Sequence, residues 1–321
     1  MATLLNEQHK ETHKSTLSLR NYARDKAFEI ERIAKSFMSL SEDDKEWLGD
    51  WRRIPSEIAA AVSFNQIALN SLANRISAPT NDLPNNHSTN VDSLMMELVR
   101  EWSSEGQEER TIYKKMLDYI NIQQARVLIP GVGLGRLAYE CALMGHNTSM
   151  IDSDPLKYLI MKDILSGKRL ELQPYALETC NRRKSNDHLR RVLIPDITIS
   201  SEVVNRLNGK CENMFEFQPR FPFDFAMTSY FIDCSGKQVL NVARSIFSFL
   251  KPGGLWINCG GLTYKNDKIY EMPAIEIIEM LSKIGFIVEQ SDRIATTYCE
   301  NSRSLMRSTQ RAVFFTARKP R

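Results

Sequence analysis

The sequence predicts an α/β protein built on a doubly wound parallel sheet, preceded by a helical region. One observation is a strand, glycine turn, helix and second strand in succession over residues 126–154. Another is a helix, turn and strand over residues 247–258. About 120 residues separate the two units, which leaves room for three further strands, their helices and an insertion in the same domain.

The first unit begins with the short apolar strand Val127–Ile129 and continues through the turn Gly131–Gly135. A helix-compatible segment, Arg136–Met144, comes next, and the run Thr148–Ile151 reads as the second strand. A strand that leads through a glycine turn into a helix brings backbone N–H groups and a positive helix end to one point. Because glycine has no Cβ, a ligand can approach this backbone closely.

Asp152 stands at the carboxyl end of the second strand. In a doubly wound sheet, an acid at this position can accept hydrogen bonds from the hydroxyls of a ribose. The glycines have the pattern G-x-G-x-G, at Gly131, Gly133 and Gly135, without the third glycine spacing of the dinucleotide fingerprint. This pattern is more typical of folds that bind S-adenosylmethionine, and a tight turn with no ligand is the alternative.

The second unit helps to decide between a turn that binds S-adenosylmethionine and a turn with no ligand. Phe247–Leu250 ends a predicted helix, Lys251–Gly254 breaks it, and Leu255–Asn258 begins a strand. A helix followed by K-P-G-G and a strand resembles the fourth crossover of class I methyltransferases. Together, the two units favour a Rossmann-like class I methyltransferase sheet over a turn without a ligand.

Composition sets further bounds. The chain has 321 residues, 42% hydrophobic and 25% charged, which is ordinary for a globular protein. A net charge of +3 demands no nucleic-acid partner. No apolar run approaches the roughly 18 residues of a membrane span, and we expect a cytoplasmic or nuclear location without a membrane partner. Six cysteines without a C-x-x-C pair predict neither a zinc site nor a disulfide framework, and we expect no metal.

The region before the sheet is predicted to be helical. Helical periodicity extends from Lys14 to Ile76, Ser41–Asp44 has the sequence of a helix start, and Ile58–Ile76 reads as a third helix. Ser77–Asn90, rich in asparagine, reads as a linker. We therefore predict a helical region over residues 1–90 and a methyltransferase domain over 91–321, with an insertion at about 165–222.

Four stretches resemble the carnosine N-methyltransferase family. They are the segment Val99–Arg110, the glycine turn in the form P-G-V-G-L-G-R-L, the pair Leu189–Val192 and Ile194–Asp196, and Tyr230–Asp233. The resemblance covers roughly residues 20–321. It implies an S-adenosylmethionine-dependent N-methyltransferase that acts on the imidazole of a histidine-containing dipeptide, converting carnosine to anserine.

The same resemblance implies a set of cofactor contacts. Arg100 matches a family arginine that reaches the cofactor's carboxylate, and a guanidinium suits that contact. A solvated helix face is the alternative for Arg100. Glu97 stands where the family more often has glutamine, and Glu216 with Phe217 replaces an Asp-Phe pair at the adenine. The predicted cofactor-binding residues are Arg100, Glu97, Gly131, Gly133, Gly135, Asp152, Glu216 and Phe217.

Asp233 is the predicted catalytic residue. It follows the predicted strand Phe225–Ile232, whose carboxyl end faces the cofactor. In the family the matching aspartate contacts the imidazole of carnosine. A carboxylate bonded to one ring nitrogen holds the tautomer whose other nitrogen is free to attack. The alternative is an N-cap for a helix over Gly236–Leu250.

Other substrate positions depart from the family. Lys265, beside Tyr264, stands where the family has a histidine, while Tyr298 keeps a family tyrosine. Ser308–Gln310 replace further tyrosines. The predicted substrate residues are Asp233, Lys265, Tyr298 and Gln310.

These departures leave two alternatives to a carnosine methyltransferase open. One is an enzyme that methylates another small amine, a peptide or a protein histidine. The other is a catalytically silent scaffold that keeps the fold. The sequence also leaves open a homodimer.

Overall fold

A computed structural model describes residues 2–48, 52–76, 90–235, 237–264, 270–298 and 301–321. The side chains of residues 2–15 and 107–109 are outside that description. The helices are α1 (Ala2–Met38), α2 (Glu42–Leu48), α3 (Ile54–Ile76), α4 (Val91–Trp102), α5 (Gln107–Leu117), α6 (Arg136–Leu143), α7 (Pro155–Leu165), α8 (Ser201–Val204), α9 (Val239–Phe249) and α10 (Ala274–Ile284). The strands are β1 (Arg126–Pro130), β2 (Asn147–Asp152), β3 (Leu170–Leu172), β4 (Val192–Ile194), β5 (Leu207–Cys211), β6 (Phe223–Ser229), β7 (Leu250–Gly260), β8 (Ile287–Thr297) and β9 (Thr309–Arg318).

The chain divides into two compact units. The helical unit comprises residues 1–106, 167–198 and 299–307. The sheet unit comprises residues 107–166, 199–298 and 308–321. The helical unit thus includes residues 91–106 and 167–198 in addition to the predicted helical region, and β5 is a strand of the main sheet. The predicted domain boundaries, at residue 90 and at about 165–222, remain predictions.

The helical unit is organised around α3. Gln66 inserts its amide into the backbone of α1, accepting from the Ala23 N–H at 2.7 Å and donating to the Leu19 carbonyl at 2.9 Å. On its buried side Asn65 exchanges two hydrogen bonds with the backbone of Gln173, just after β3. Paired bonds of this kind satisfy both the amide and the backbone away from water.

Two of the stretches that carry the family resemblance meet in the helical unit. The Asp196 N–H donates to the Trp102 carbonyl at 3.0 Å, and the Asp196 carboxylate accepts from the Ser104 N–H. Arg190 pairs with Glu105 at 3.2 Å. The segment after α4 and the segment around β4 therefore form one hydrogen-bonded structure.

The sheet unit contains a seven-stranded sheet with the order β5-β2-β1-β6-β7-β9-β8. The strands from β5 to β7 are parallel, and β9 runs antiparallel to both of its neighbours. The predicted doubly wound α/β sheet is thus confirmed. The strand order reverses direction between β1 and β6, and ligands of such sheets bind outside the carboxyl ends of the strands at that switch point.

The K-P-G-G stretch is not the break that the sequence predicts. It lies inside β7, where Phe223 pairs with Leu250 and Phe225 pairs with Leu255. Between these two pairs, β6 advances by two residues and β7 by five. The extra residues of β7 form a β-bulge. Gly253, with φ of 79°, supplies a backbone conformation that other residues rarely adopt.

A buried polar chain fixes the register at the centre of the sheet. The Trp256 indole N–H donates to the Thr228 hydroxyl at 2.9 Å. The Thr228 hydroxyl in turn donates to the side-chain Oδ1 of Asn258 at 2.8 Å. The Asn258 amide then donates to the Val313 carbonyl at 3.1 Å. These hydrogen bonds link β6, β7 and β9. A shift in the register of any of these strands would leave buried polar groups unsatisfied.

We expect Thr316→Val to stabilise the protein. The Thr316 hydroxyl is buried in β9 and has no hydrogen-bond partner among the described residues. Replacing it by a methyl group removes an unsatisfied buried polar group, which should raise the free energy of unfolding by about 0.5–1.5 kcal/mol. Denaturant unfolding of Thr316→Val and of Thr228→Val tests this. The second variant, which breaks two buried bonds, should be destabilised.

Within the described ranges, none of the helices is both long and apolar enough to cross a bilayer. The same ranges contain no cluster of three His, Cys, Asp or Glu side chains that could hold a metal ion.

Candidate active site

The glycine turn follows β1 at the switch point of the sheet. Gly131, Gly133 and Gly135 have φ values of 62°, 59° and 90°, in the left-handed region. A Cβ on Gly131 would overlap the ring of Phe231, which therefore lies directly against the turn. Phe231 follows β6, so this contact brings the ends of β1 and β6 together.

Asp152 ends β2 next to the turn. One carboxylate oxygen accepts from the Gly133 N–H at 2.8 Å and the other from the Asp154 N–H at 2.9 Å. These bonds fix the carboxylate on the turn. Since an ionised carboxylate can accept about four hydrogen bonds, it retains capacity for the hydroxyls of a ligand. Burial raises the pKa of Asp152 to about 6, although the two backbone bonds oppose the shift.

Asp233 follows the carboxyl end of β6, on the side of the sheet where the glycine turn and Asp152 also lie. It is only 4% exposed, and its Oδ2 accepts from both the N–H and the hydroxyl of Thr263, at 2.7 and 2.9 Å. Among the described residues, no donor bonds to Oδ1. The alternative of an N-cap is wrong, because α9 begins at Val239 with Gln238 as its cap residue.

Tyr230, Tyr298 and Gln310 form a polar aromatic cluster on the same side of the sheet. The Gln310 amide donates to the Tyr230 hydroxyl at 2.7 Å, and the rings of Tyr230 and Tyr298 lie 5.6 Å apart at 58°. Tyr230 has φ of 49°, and a Cβ on Gly260 would lie 2.8 Å from its backbone. The structure therefore brings Asp233, Tyr298 and Gln310, three of the predicted substrate residues, to the carboxyl ends of β6 and β7.

Tyr230 and Thr263 are the site residues that the sequence does not predict. Tyr230 belongs to a stretch that carries the family resemblance, but nothing in that stretch shows where its ring points. Thr263 lies in a segment without a motif, two residues before the region that the structure leaves undescribed. Lys265, the fourth predicted substrate residue, falls outside the described residues.

The predicted adenine contacts have a different environment. Phe217 is 9% exposed and packs in the core, with its ring 5.6 Å from Phe249 in an edge-on arrangement and 6.4 Å from Phe223. The Glu216 side chain is exposed. Both lie between β5 and β6. Their role at an adenine remains a prediction, and the packing gives Phe217 a structural role.

Arg100 and Glu97 lie on α4 of the helical unit, and both are half-buried. Arg100 lies 3.8 Å from Glu101, and the chain turns closely over the Arg100 backbone at Gly106, where no side chain would fit. Their contact with a cofactor remains a prediction.

The glycine turn fits a nucleoside cofactor. The glycines keep its backbone in the left-handed region with the Phe231 ring packed against Gly131 and Met161 against Gly135, and a buried acid is fixed beside it with acceptor capacity. Together with the strand order and the antiparallel β9, these features define a Rossmann-like class I methyltransferase that depends on S-adenosylmethionine. A family model described as carnosine N-methyltransferase matches residues 80–321, and the chain belongs to that family.

Individual relatives agree. The chain is 30% identical to a carnosine N-methyltransferase of Dictyostelium discoideum over 86% of this chain and 69% of the relative. It is 26% identical to the enzyme of the same name from Mus musculus, over 91% of this chain and 81% of the relative. The predicted family is confirmed, as is the predicted class of enzyme.

Two solved structures match parts of the chain at low sequence identity. The glycopeptide N-methyltransferase MtfA, complexed with S-adenosyl-L-methionine, matches 67% of this chain and 95% of its own, with 12% identity and a TM-score of 0.43. The [4+2]-cyclase SpnF matches 74% and 99%, with 15% identity and a TM-score of 0.47.

Proposed function

We propose that the protein transfers the methyl group of S-adenosylmethionine to an imidazole nitrogen of a histidine-containing dipeptide such as carnosine, giving anserine. The observation that supports this most directly is Asp233. A buried carboxylate, held through one oxygen by Thr263, lies at the switch-point edge that also carries the glycine turn. The names of the relatives supply the choice of carnosine.

The cofactor would be held by the glycine turn and Asp152, with Arg100 at its methionine carboxylate and Glu97 as a further cofactor contact. Glu216 and Phe217 complete the proposed set. S-adenosylmethionine supplies a methyl group already activated by a sulfonium. The protein therefore has to position an acceptor in line with the S–CH₃ bond and exclude water.

Asp233 would select the reactive form of the acceptor. A neutral imidazole carries one N–H and one lone pair. By accepting from the N–H, the carboxylate leaves the lone pair on the other nitrogen, directed away from Asp233. It also stabilises the positive charge that the ring gains as the new bond forms.

Substitution of Gln310 tests whether Tyr230, Tyr298 and Gln310 line the binding site of the methyl acceptor. Gln310→Ala removes the amide that donates to Tyr230 at 2.7 Å, which leaves the Tyr230 ring less constrained beside Tyr298. Since a neutral hydrogen bond contributes about 0.5–1.5 kcal/mol, we expect the KM for the acceptor to rise roughly twofold to tenfold. Steady-state kinetics give that value, and calorimetry should show unchanged S-adenosylmethionine affinity. An unchanged KM would remove Gln310 from the acceptor site.

A panel assay tests the acceptor itself. The protein is incubated with methyl-labelled S-adenosylmethionine and histidine dipeptides, histidine-containing peptides and small amines. Label in carnosine as anserine supports the proposal. Label only in other acceptors contradicts the proposed substrate and favours the second candidate, a methyltransferase for another histidine peptide or amine. The polar Tyr230–Gln310 pair is the observation that favours this second candidate.

The proposal also covers cofactor binding, cellular location and oligomeric state. Calorimetric titration should show uptake of S-adenosylmethionine, and no heat together with no label transfer would indicate a silent scaffold. We place the enzyme in the cytoplasm or nucleus, acting on a small molecule or peptide, without nucleic acid, membrane or metal. Sedimentation of the full chain tests a homodimer.

A further inference from the structure

We infer that Thr263 is a positioning residue that sets which imidazole nitrogen is methylated. The inference rests on the proposed function and deepens it. Thr263 acts through Asp233, because its N–H and its hydroxyl both donate to Oδ2 of that residue, at 2.7 and 2.9 Å.

Two donors on one oxygen make the carboxylate asymmetric. An aspartate side chain without such restraint can rotate about its terminal bond and present either oxygen. Here the backbone N–H and hydroxyl of Thr263 satisfy Oδ2, and no donor among the described residues bonds to Oδ1. Asp233 therefore presents one oxygen, in one orientation, to an acceptor N–H.

The orientation of that oxygen determines regiochemistry. The ring nitrogen that donates to Oδ1 keeps its proton, and only the other nitrogen has a lone pair. This lone pair forms the new C–N bond as the S–CH₃ bond breaks, and the electron pair of the broken bond stays on sulfur. The methylated ring is then a cation. It returns to neutrality when the proton facing Asp233 passes through the carboxylate to solvent.

The position of Thr263 makes the inference testable. Thr263 is exposed, in the segment between β7 and α10, so its substitution removes little buried apolar surface. Thr263→Val removes the hydroxyl and keeps both the shape and the backbone N–H. Thr263→Ser keeps the hydroxyl and serves as the conservative rescue. Thr316→Val makes the same change in β9, at a hydroxyl without a partner among the described residues.

The experiment measures products and a bound complex. Wild-type protein is given S-adenosylmethionine and carnosine, and the two ring-methylated isomers are separated and counted. We expect one isomer from wild type, Thr263→Ser and Thr316→Val. Thr263→Val should give both isomers, with kcat reduced about tenfold, the scale of one lost charge-assisted hydrogen bond. Calorimetry should give the same S-adenosylmethionine affinity for all four proteins.

A second readout does not depend on turnover. Carnosine with a ¹⁵N-labelled ring is bound to each protein together with S-adenosylhomocysteine, and the ¹⁵N shifts report which nitrogen carries the proton. We expect one tautomer in wild type and Thr263→Ser, and a mixture in Thr263→Val. A single isomer and tautomer in Thr263→Val would overturn the inference and leave the proposed function intact. Wild type that labels no imidazole would instead overturn the proposed function, and this inference with it.

Discussion

Asp233→Asn should lower kcat by about 10²–10⁴, the range associated with general acid–base groups, while S-adenosylmethionine affinity changes little. The asparagine carbonyl can still accept from the N–H and hydroxyl of Thr263, so the local fold should be kept. Its NH₂ group then replaces Oδ1. A donor at that position favours the wrong imidazole tautomer and cannot stabilise the cation that forms.

Single-turnover and steady-state assays of Asp233→Asn and Asp233→Ala measure this effect. Asp292→Asn is the control, because it removes an exposed acid of β8 in the same unit. Calorimetry with S-adenosylhomocysteine checks that the cofactor site is kept. Normal turnover in both Asp233 variants would show that the carboxylate is structural and would leave the proposed mechanism without its central residue.

The predicted residues that the structure brings to the carboxyl ends of β1, β2 and β6 share a local cause. The turn Gly131–Gly135 and the acid at Asp152 are fixed by the order of elements within a single strand, turn, helix and strand. Their placement follows from sequence spacing alone, because each residue ends or begins an element. The same holds for Asp233, which follows a buried strand beside the switch point.

Contacts between distant segments could not be predicted in this way. The bonds from Thr263 to Asp233 span 30 residues, and the bond from Gln310 to Tyr230 spans 80. Each depends on the pairing of β6 with β7 and of β7 with β9, which no local pattern specifies. The register of those strands is set by buried packing and by the Thr228–Asn258 hydrogen bond.

The proline and glycines of Lys251–Gly254 do not end the strand in which they lie. These residues usually interrupt regular structure, and the sequence therefore predicts a break. In the structure the stretch is a bulge within β7, because the residues on both sides pair with β6. Phe217 is predicted to contact the adenine, but it packs in the hydrophobic core. An aromatic residue in the sequence does not by itself distinguish a ligand contact from core packing.

Asp152→Ala should weaken S-adenosylmethionine binding by about 1–3 kcal/mol, or roughly fivefold to 150-fold, the scale of a lost charged hydrogen-bond partner. The variant removes both the proposed ribose acceptor and the bond to the Gly133 N–H that fixes the turn. Asp154→Asn is the matched control. Asp154 caps α7 by accepting from the Leu156 N–H at 2.9 Å, a bond that asparagine can also make.

The affinity should also depend on pH. Burial raises the pKa of Asp152 to about 6, so this carboxyl is largely ionised at pH 7.5 and largely protonated at pH 5. Ribose hydroxyls donate to the ionised form, and binding therefore opposes protonation. We expect affinity for S-adenosylhomocysteine to fall as pH decreases through 6 in wild type and Asp154→Asn, and this component to be absent in Asp152→Ala. Calorimetry across that range decides, since equal pH dependence in all three proteins would exclude Asp152 as the ribose partner.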